Sequence, residues 1–256
     1  MSVALHAEVS GQGPALLLLH GLFGSATNFR SVARALSASH QVHVLDLRNH
    51  GASPWAEGMD YLQMAEDLLA YLDAQGLAQP AVLGHSMGGK AALALALTAP
   101  GRVGRLLVVD IAPVAYQHHN LPVVQAMQAL DLSDGAGRSV LQQRLQPRLP
   151  EPAVAPFLLQ NLVSRDGGLA WRLNLAAIGD DMDSIVGFPP ELLERRFDRP
   201  VTAIVGERSD FVSPPDASVF SPMFAQTEVV RIAGAGHWVH ADQPQAFLAS
   251  VQQALA

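Results

Sequence analysis

Residues 84–89, Gly84-His85-Ser86-Met87-Gly88-Gly89, stand directly between an apolar run, Ala81-Val82-Leu83, and a run of helical character, Lys90-Ala91-Ala92-Leu93-Ala94-Leu95. A serine at a strand-to-helix junction, with glycines two positions away on each side, marks a sharp turn held in strained backbone geometry. Side chains at the flanking positions would collide across the turn, which is why Gly84 and Gly88 must be small. The motif therefore demands a strand that leads into Ser86, a helix that opens after the turn, and a serine hydroxyl presented at the edge between them. The Met87 N–H, next in the chain, points to the same place. A G-x-S-x-G string alone is weak; the strand before it and the helix after it give it meaning.

The same alternation runs along much of the 256-residue chain. Short apolar runs end at glycines or charged residues, and between them lie stretches with apolar positions at helical spacing, a βαβ rhythm. Strands are expected at Ala15–Leu19, Val42–Leu45, Ala81–Gly84, Leu106–Asp110, Val201–Val205 and Glu228–Ile232. Most are nearly continuous hydrophobics, as suits a parallel sheet covered by helices on both faces. Val3–Val9 alternates and reads as an antiparallel edge strand. Helices fit Asn28–Ser37, Tyr61–Ala74, Lys90–Ala99, Pro215–Phe224 and Pro244–Ala254, with right-handed crossovers between parallel strands.

Between Ala112 and Arg199 the rhythm breaks. That stretch holds helical patterns at Leu121–Leu130, Ser139–Leu145 and Val154–Leu162, no convincing buried strand, and prolines (147, 150, 152, 156, 189, 190) that cut it into short helices. Such an insert would lie over the C-terminal edge of the sheet, where α/β proteins bind ligands. The expected division is a core of residues 1–111 and 200–256 and a helical cap of residues 112–199.

Composition narrows the chemistry. Hydrophobic residues are 49% of the chain, too many for a disordered polymer. Sixteen Lys and Arg against 23 Asp and Glu give a net charge of −7, with no basic run longer than Arg195-Arg196, which argues against nucleic acid as a partner. The absence of cysteine removes disulfides, thiolate nucleophiles and Cys-based metal sites. The N-terminal segment lacks the basic and apolar regions of a signal peptide, and Pro14–Leu19 is far shorter than the roughly 20 residues that span a bilayer. A soluble, cytoplasmic protein is expected.

Ser86 needs a base, an acid and two oxyanion donors if it is a nucleophile. One donor is the Met87 N–H; the other is expected from the loop after the first strong strand, Leu19-His20-Gly21-Leu22-Phe23-Gly24-Ser25, at Leu22. Neither G-x-G-x-x-G nor G-x-x-x-x-G-K-[ST] occurs there, so this is no phosphate cradle, and His20 reads as a buried, loop-organising histidine. With the chain order nucleophile, acid, histidine, the base is His237, in Gly234-Ala235-Gly236-His237-Trp238-Val239-His240 after the last strand. His118, His119 and His240 read as partly solvated, and His50 and His85 as packing residues. His237 and His240 lack the further ligands of a metal site. Two carboxylates compete for the acid: Asp110 at the mouth of a strand adjacent to the elbow, and Asp210 beyond Gly206. An acid three residues after that glycine would fall on Ser209, so Asp210 is one residue late. Asp110 is favoured and Asp210 is the alternative.

The chain resembles the α/β-hydrolases, and within them the small acyl esterases of the YbfF type. The resemblance rests on His20-Gly21-Leu22-Phe23-Gly24-Ser25, Asp46-Leu47-Arg48-Asn49-His50-Gly51-Ala52-Ser53, Gly84-His85-Ser86-Met87-Gly88-Gly89-Lys90, Val109-Asp110-Ile111-Ala112-Pro113-Val114 and Gly236-His237-Trp238-Val239-His240-Ala241. It implies an α/β-hydrolase fold, a mostly parallel sheet with helices on both faces and a helical cap inserted after the sixth strand. It also implies Asp110 as the acid and, with no cofactor, hydrolysis of small-molecule acyl esters or acyl-CoA thioesters. Within the same fold the alternative is another serine-triad reaction, such as C–C bond hydrolysis, an elimination-type synthase or cofactor-free perhydrolysis. A silent binding module is the reading from a different class.

Overall fold

The computed structural model describes the whole chain except residues 118, 119, 150, 152, 153, 166 and 213–216. The expectations for His118, His119, Pro150, Pro152 and the start of the helix at Pro215 lie outside the described residues.

In chain order the first half runs β1 (Ala7–Ser10), β2 (Ala15–Leu19), α1 (Arg30–Leu36), β3 (Gln41–Leu45), α2 (Tyr61–Ala74), β4 (Ala81–His85), α3 (Met87–Thr98) and β5 (Arg105–Val109). Then come α4 (Leu121–Gln128), α5 (Arg138–Leu145), α6 (Val154–Leu159), the strands β6 (Leu162–Arg165) and β7 (Gly168–Trp171), α7 (Leu175–Asp180) and α8 (Met182–Val186). The chain closes with β8 (Val201–Gly206), α9 (Ala217–Phe220), β9 (Thr227–Ile232), α10 (Val239–Asp242) and α11 (Pro244–Leu255).

Seven strands form one sheet in the order β1-β3-β2-β4-β5-β8-β9, in which only β1 is antiparallel to its neighbour. Leu16 and Leu18 of β2 face a layer made with α1 and α11, through Phe29, Val32, Leu36, Phe247 and Val251. Leu17 and Leu19 face the opposite layer with α2, α3 and the segment between β5 and β8. All four leucines are fully buried, so each contributes on the order of 1.5–3 kcal/mol through lost contact with water. This two-sided burial explains why the strands read as unbroken apolar runs. Among the described residues, no helix is long and apolar enough to cross a membrane.

Three expectations need correction. The chain leaves the sheet for the inserted segment after its fifth strand, not its sixth, because only one strand, β1, precedes β2. The inserted segment is not purely helical: β6 and β7 form an antiparallel hairpin, with Leu162 opposite Trp171. The helix from Val154 accordingly stops at Leu159 rather than Leu162.

Strand order reverses at the neighbours β2 and β4, since β3 lies outside β2 on one side and β5 outside β4 on the other. The C-terminal ends of strands flanking such a switch point leave a crevice in open α/β sheets. Leu19 pairs with Gly84 and His85 with Val109, so the loops that follow β2, β4 and β5 leave the sheet side by side.

Candidate active site

Ser86 sits at φ 52° and ψ −120°, the strained turn that the sequence demands. A Cβ on Gly84 would come within 2.1 Å of Gly88 O, and one on Gly88 within 2.5 Å of His20 O; neither position admits a side chain. The Ser86 hydroxyl makes no capping bond to α3, which disposes of a helix N-cap as its role. It lies instead 3.0 Å from His237 Nε2.

His237 comes from the loop after β9, and its Nδ1 lies 2.7 Å from Asp110 Oδ2. Asp110 follows β5, is fully buried, and has a positive φ of 52°. Its other oxygen, Oδ1, accepts the Gly206 N–H at 2.9 Å, and Ser209 Oγ donates to Oδ2. The carboxylate is thus aimed by the end of β8 while it faces the imidazole. Asp210 is exposed, and Nδ1 of His237 faces Asp110 in its place. The one-residue offset noted in the sequence has this outcome: position 209, a serine, turns toward Asp110, and position 210 turns to solvent. Phe211 stacks on the His237 ring with centroids 3.8 Å apart and planes 17° apart. His85, one residue before Ser86, donates from Nε2 to the His237 carbonyl at 2.9 Å, so the elbow also holds the backbone of the histidine loop.

Leu22 and Met87 border the same space beside Ser86. As the first residue of α3, Met87 has an N–H with no carbonyl partner in its own helix. The loop bearing Leu22 is held from inside the protein by two histidines. His20 donates from Nδ1 to Gly21 O at 2.9 Å and accepts the Leu47 N–H on Nε2 at 3.0 Å. His50 donates from Nδ1 to Arg48 O at 2.9 Å and accepts the Phe23 N–H on Nε2 at 3.2 Å. Each ring must be neutral to serve as donor and acceptor at once. Burial enforces this, pulling His20 down to about 4 and His50, with the adjacent His20 adding to the effect, to about 3. Burial also drives His85 well below its usual value.

A cavity of about 550 Å³ opens onto Ser86 and His237, with Phe29, Val123, Phe157 and Trp238 among its apolar walls. A hollow of about 700 Å³ between Asp131 and Trp171 is larger, but neither Ser86, His237 and Asp110 nor the residues bonded to them border it. Among the described residues no group of three or more His, Asp or Glu side chains is placed to hold a metal.

Sequence reasoning named Ser86, His237, Asp110, Leu22 and Met87, and the structure brings all five to one place. It missed three neighbours. Phe211 gave no signal, and Ser209 was marked only as the position where an acid would fall, because their roles depend on how the loop after β8 turns. Lys90 read simply as a helix residue, yet it is buried, with Nζ donating to Val186 O at 2.8 Å and Gly187 O at 2.6 Å. Its only signal was the position, four residues after Ser86 on the same face of the helix.

Comparison with known proteins agrees with this geometry. A family described as the alpha/beta hydrolase fold matches residues 14–244. The chain belongs to the alpha/beta hydrolase family. It is 38% identical to the Escherichia coli esterase YbfF over 242 residues, covering 94% of this chain and 92% of that protein. It is also 38% identical to the mouse sn-1-specific diacylglycerol lipase ABHD11 over 251 residues, covering 95% of this chain and 81% of the relative. Among solved structures, a marine microorganism esterase superposes with a TM-score of 0.94 at 32% identity, covering 98% of this chain and 99% of that one. The observed sheet and the family match agree with the α/β-hydrolase fold expected from the sequence.

Proposed function

We propose that this alpha/beta hydrolase is a serine esterase that cleaves acyl esters, and acyl-CoA thioesters by the same route, through Ser86, His237 and Asp110. One observation carries the reading: the continuous chain from Ser86 Oγ to His237 Nε2, 3.0 Å, and from His237 Nδ1 to Asp110 Oδ2, 2.7 Å, at the floor of an apolar cavity. The relatives named esterase and diacylglycerol lipase support the same class of bond.

In this reading His237 Nε2 takes the Ser86 proton as Oγ attacks the ester carbonyl, and the carbonyl electron pair moves onto oxygen. The N–H groups of Leu22 and Met87 hold that oxyanion. Collapse expels the alcohol or thiol, which leaves with the proton from His237, and an acyl group remains on Ser86. Water, deprotonated by His237, then attacks the acyl carbon and restores Ser86. Asp110 keeps the Nδ1 proton in place and stabilises the charged imidazole, while Gly206 and Ser209 keep Asp110 aimed.

Residues 112–199 act as a cap on the core of residues 1–111 and 200–256. Val123, Val154, Phe157 and Gln160 of that segment line the cavity above Ser86, so the cap shapes the space open to substrate. The test combines a panel of esters and acyl-CoA thioesters with covalent labelling by a fluorophosphonate. Wild type should turn over esters and take the label; Ser86→Ala should fold, lose the label and lose activity by several orders of magnitude, since removal of a triad nucleophile costs on the order of 10⁶ in kcat. Turnover in Ser86→Ala above a tenth of wild type would overturn the assignment.

A further inference from the structure

The oxyanion loop is gripped from both sides, and one grip comes from the inserted segment. Asn161 lies in the turn between α6 and β6 and is 3% exposed. Its side-chain Nδ2 donates to Phe23 O at 2.8 Å and to Leu158 O at 3.2 Å. Its own carbonyl accepts the Arg172 N–H at 2.8 Å, and its N–H donates to Leu158 O at 3.0 Å. The residue is therefore rigidly seated in the inserted segment while its amide reaches across to the core.

The contact falls on a peptide that matters. A carbonyl and the following N–H share one rigid plane. The plane that presents Phe23 O also presents the Gly24 N–H, which donates to Gly21 O at 2.9 Å. Gly21 O in turn shares its plane with the Leu22 N–H. A direct line of two hydrogen bonds thus runs from Asn161, through the Phe23-Gly24 peptide, to the peptide bearing the Leu22 donor. His20 and His50 fix the other contacts, at Gly21 O and the Phe23 N–H. Phe23 has a φ of 61°, a conformation that a bulky residue keeps only when its surroundings hold it. Asn161 supplies the grip on its carbonyl side, and it is the only one of the three gripping side chains that belongs to the segment roofing the cavity.

We propose that Asn161 is a positioning residue for the oxyanion site: its amide orients the Leu22 N–H and ties that orientation to the seating of α6, which carries Phe157 over the cavity. This rests on the esterase reading, and the consequence is a selective effect on the transition state. If Asn161 lets go, substrate still binds the apolar walls, but the developing oxyanion loses a well-aimed donor.

The experiment compares wild type with Asn161→Asp, which keeps size but places an acceptor against Phe23 O, and with Asn161→Ala. Three quantities are read: kcat and KM on one ester, inhibition by the matching trifluoromethyl ketone, and the thermal midpoint. Ser86 Oγ adds to the ketone carbon, the carbonyl pair becomes an oxyanion, and His237 takes the Ser86 proton, so the adduct reports on the oxyanion site directly. Both variants should lose roughly ten- to hundredfold in kcat, in line with an oxyanion donor that is misaimed rather than removed. KM should stay within about threefold, and ketone affinity should fall in step with kcat/KM. A KM effect with kcat retained, or a lower thermal midpoint with kcat and ketone affinity unchanged, overturns the proposal. In wild-type protein, the Asn161 side-chain amide protons should be protected from exchange and shift when the ketone binds; free exchange without a shift overturns it even if neither variant folds. Wild type that neither cleaves esters nor takes up the ketone would instead overturn the esterase reading.

Discussion

Asp110 reaches His237 from a backbone conformation that few aspartates occupy, with φ at 52°, and holding it there costs on the order of 1–3 kcal/mol. Its N–H donates to Ile204 O at 2.9 Å, and its carboxylate is bound by Gly206 and Ser209, so the end of β8 meets that cost and leaves an acceptor facing Nδ1. Conversion to the amide keeps the shape but puts a donor where an acceptor is needed. Asp110→Asn should therefore lose on the order of 10⁴ in kcat. Asp210→Asn, at an exposed position, should stay within roughly tenfold of wild type, as expected of a carboxylate that acts only through the general field. Kinetics of the two variants on one ester decide the matter, and the reverse ranking would move the acid to Asp210. At this scale Ser86, His237 and Asp110 were legible because each stands at a strand end or in a glycine-bounded loop, where side chains are exposed to one another by the turn itself. The stacking of Phe211 and the bond from Ser209 to Asp110 were not, since nothing local says which way the loop after Gly206 turns.

Lys90 shows how one element is fastened to another. It leaves α3 four residues after Ser86, passes 4.6 Å from the centre of the Tyr116 ring, and donates to the last carbonyls of α8 at Val186 and Gly187. A cation suits the negative end of a helix, and the bonds satisfy carbonyls that the helix itself leaves open. Lys90→Met should leave the Gly187 carbonyl without that donor, while Val186 O keeps the Tyr116 N–H at 3.0 Å, costing on the order of 1–3 kcal/mol, seen as a lower thermal midpoint. Burial pulls the Lys90 ammonium from 10.5 to about 7. A folded-state value below the unfolded one means that the unfolded chain holds the extra proton between pH 7 and 10.5, so stability from this residue rises with pH across that window. The gap between wild type and Lys90→Met should widen from pH 7 to pH 10, and a constant gap would show that the lysine does not titrate there. The inner strands β2, β4, β5 and β8 were legible as elements because burial on both faces makes them largely apolar, and α2 was legible over its full length, Tyr61–Ala74. The β6-β7 hairpin was not: only Leu162 of β6 is fully buried, so its sequence carries neither a continuous apolar run nor a clear alternation.

Across the whole molecule, neutral histidines gather at the edge of the sheet that bears the site. His20, His50 and His85 are buried, with the His20 and His50 rings 5.1 Å apart and those of His85 and His240 4.9 Å apart. Each of the first three accepts or donates through bonds that tie one strand-end loop to another. Burial lowers all four: His20 and His240 to about 4, His50 to about 3, and His85 well below 6.5. The fold, rather than any single contact, sets this, because the loops after β2, β3, β4 and β9 converge where the strand order reverses. The sequence marked His20 as buried and His50 and His85 as packing residues, but not that they gather in one place, which depends on strands distant in the chain. In the unfolded chain these imidazoles take up protons near pH 6.5, while the folded protein resists until roughly pH 4. The unfolded state therefore binds more protons in that interval, and stability that is fully present above pH 6.5 is lost as pH falls through it. Each such histidine adds about 1.4 kcal/mol per pH unit to the slope. Urea melts at pH 7, 6, 5.5 and 5 should show unfolding free energy falling with a slope of at least two protons between pH 6 and 5. His50→Gln, whose amide does not titrate in this range, should reduce that slope by about one proton. A slope below one proton in wild type would mean that these rings charge freely in the folded protein, and that the loops after β2 and β9 are not pinned by neutral imidazoles.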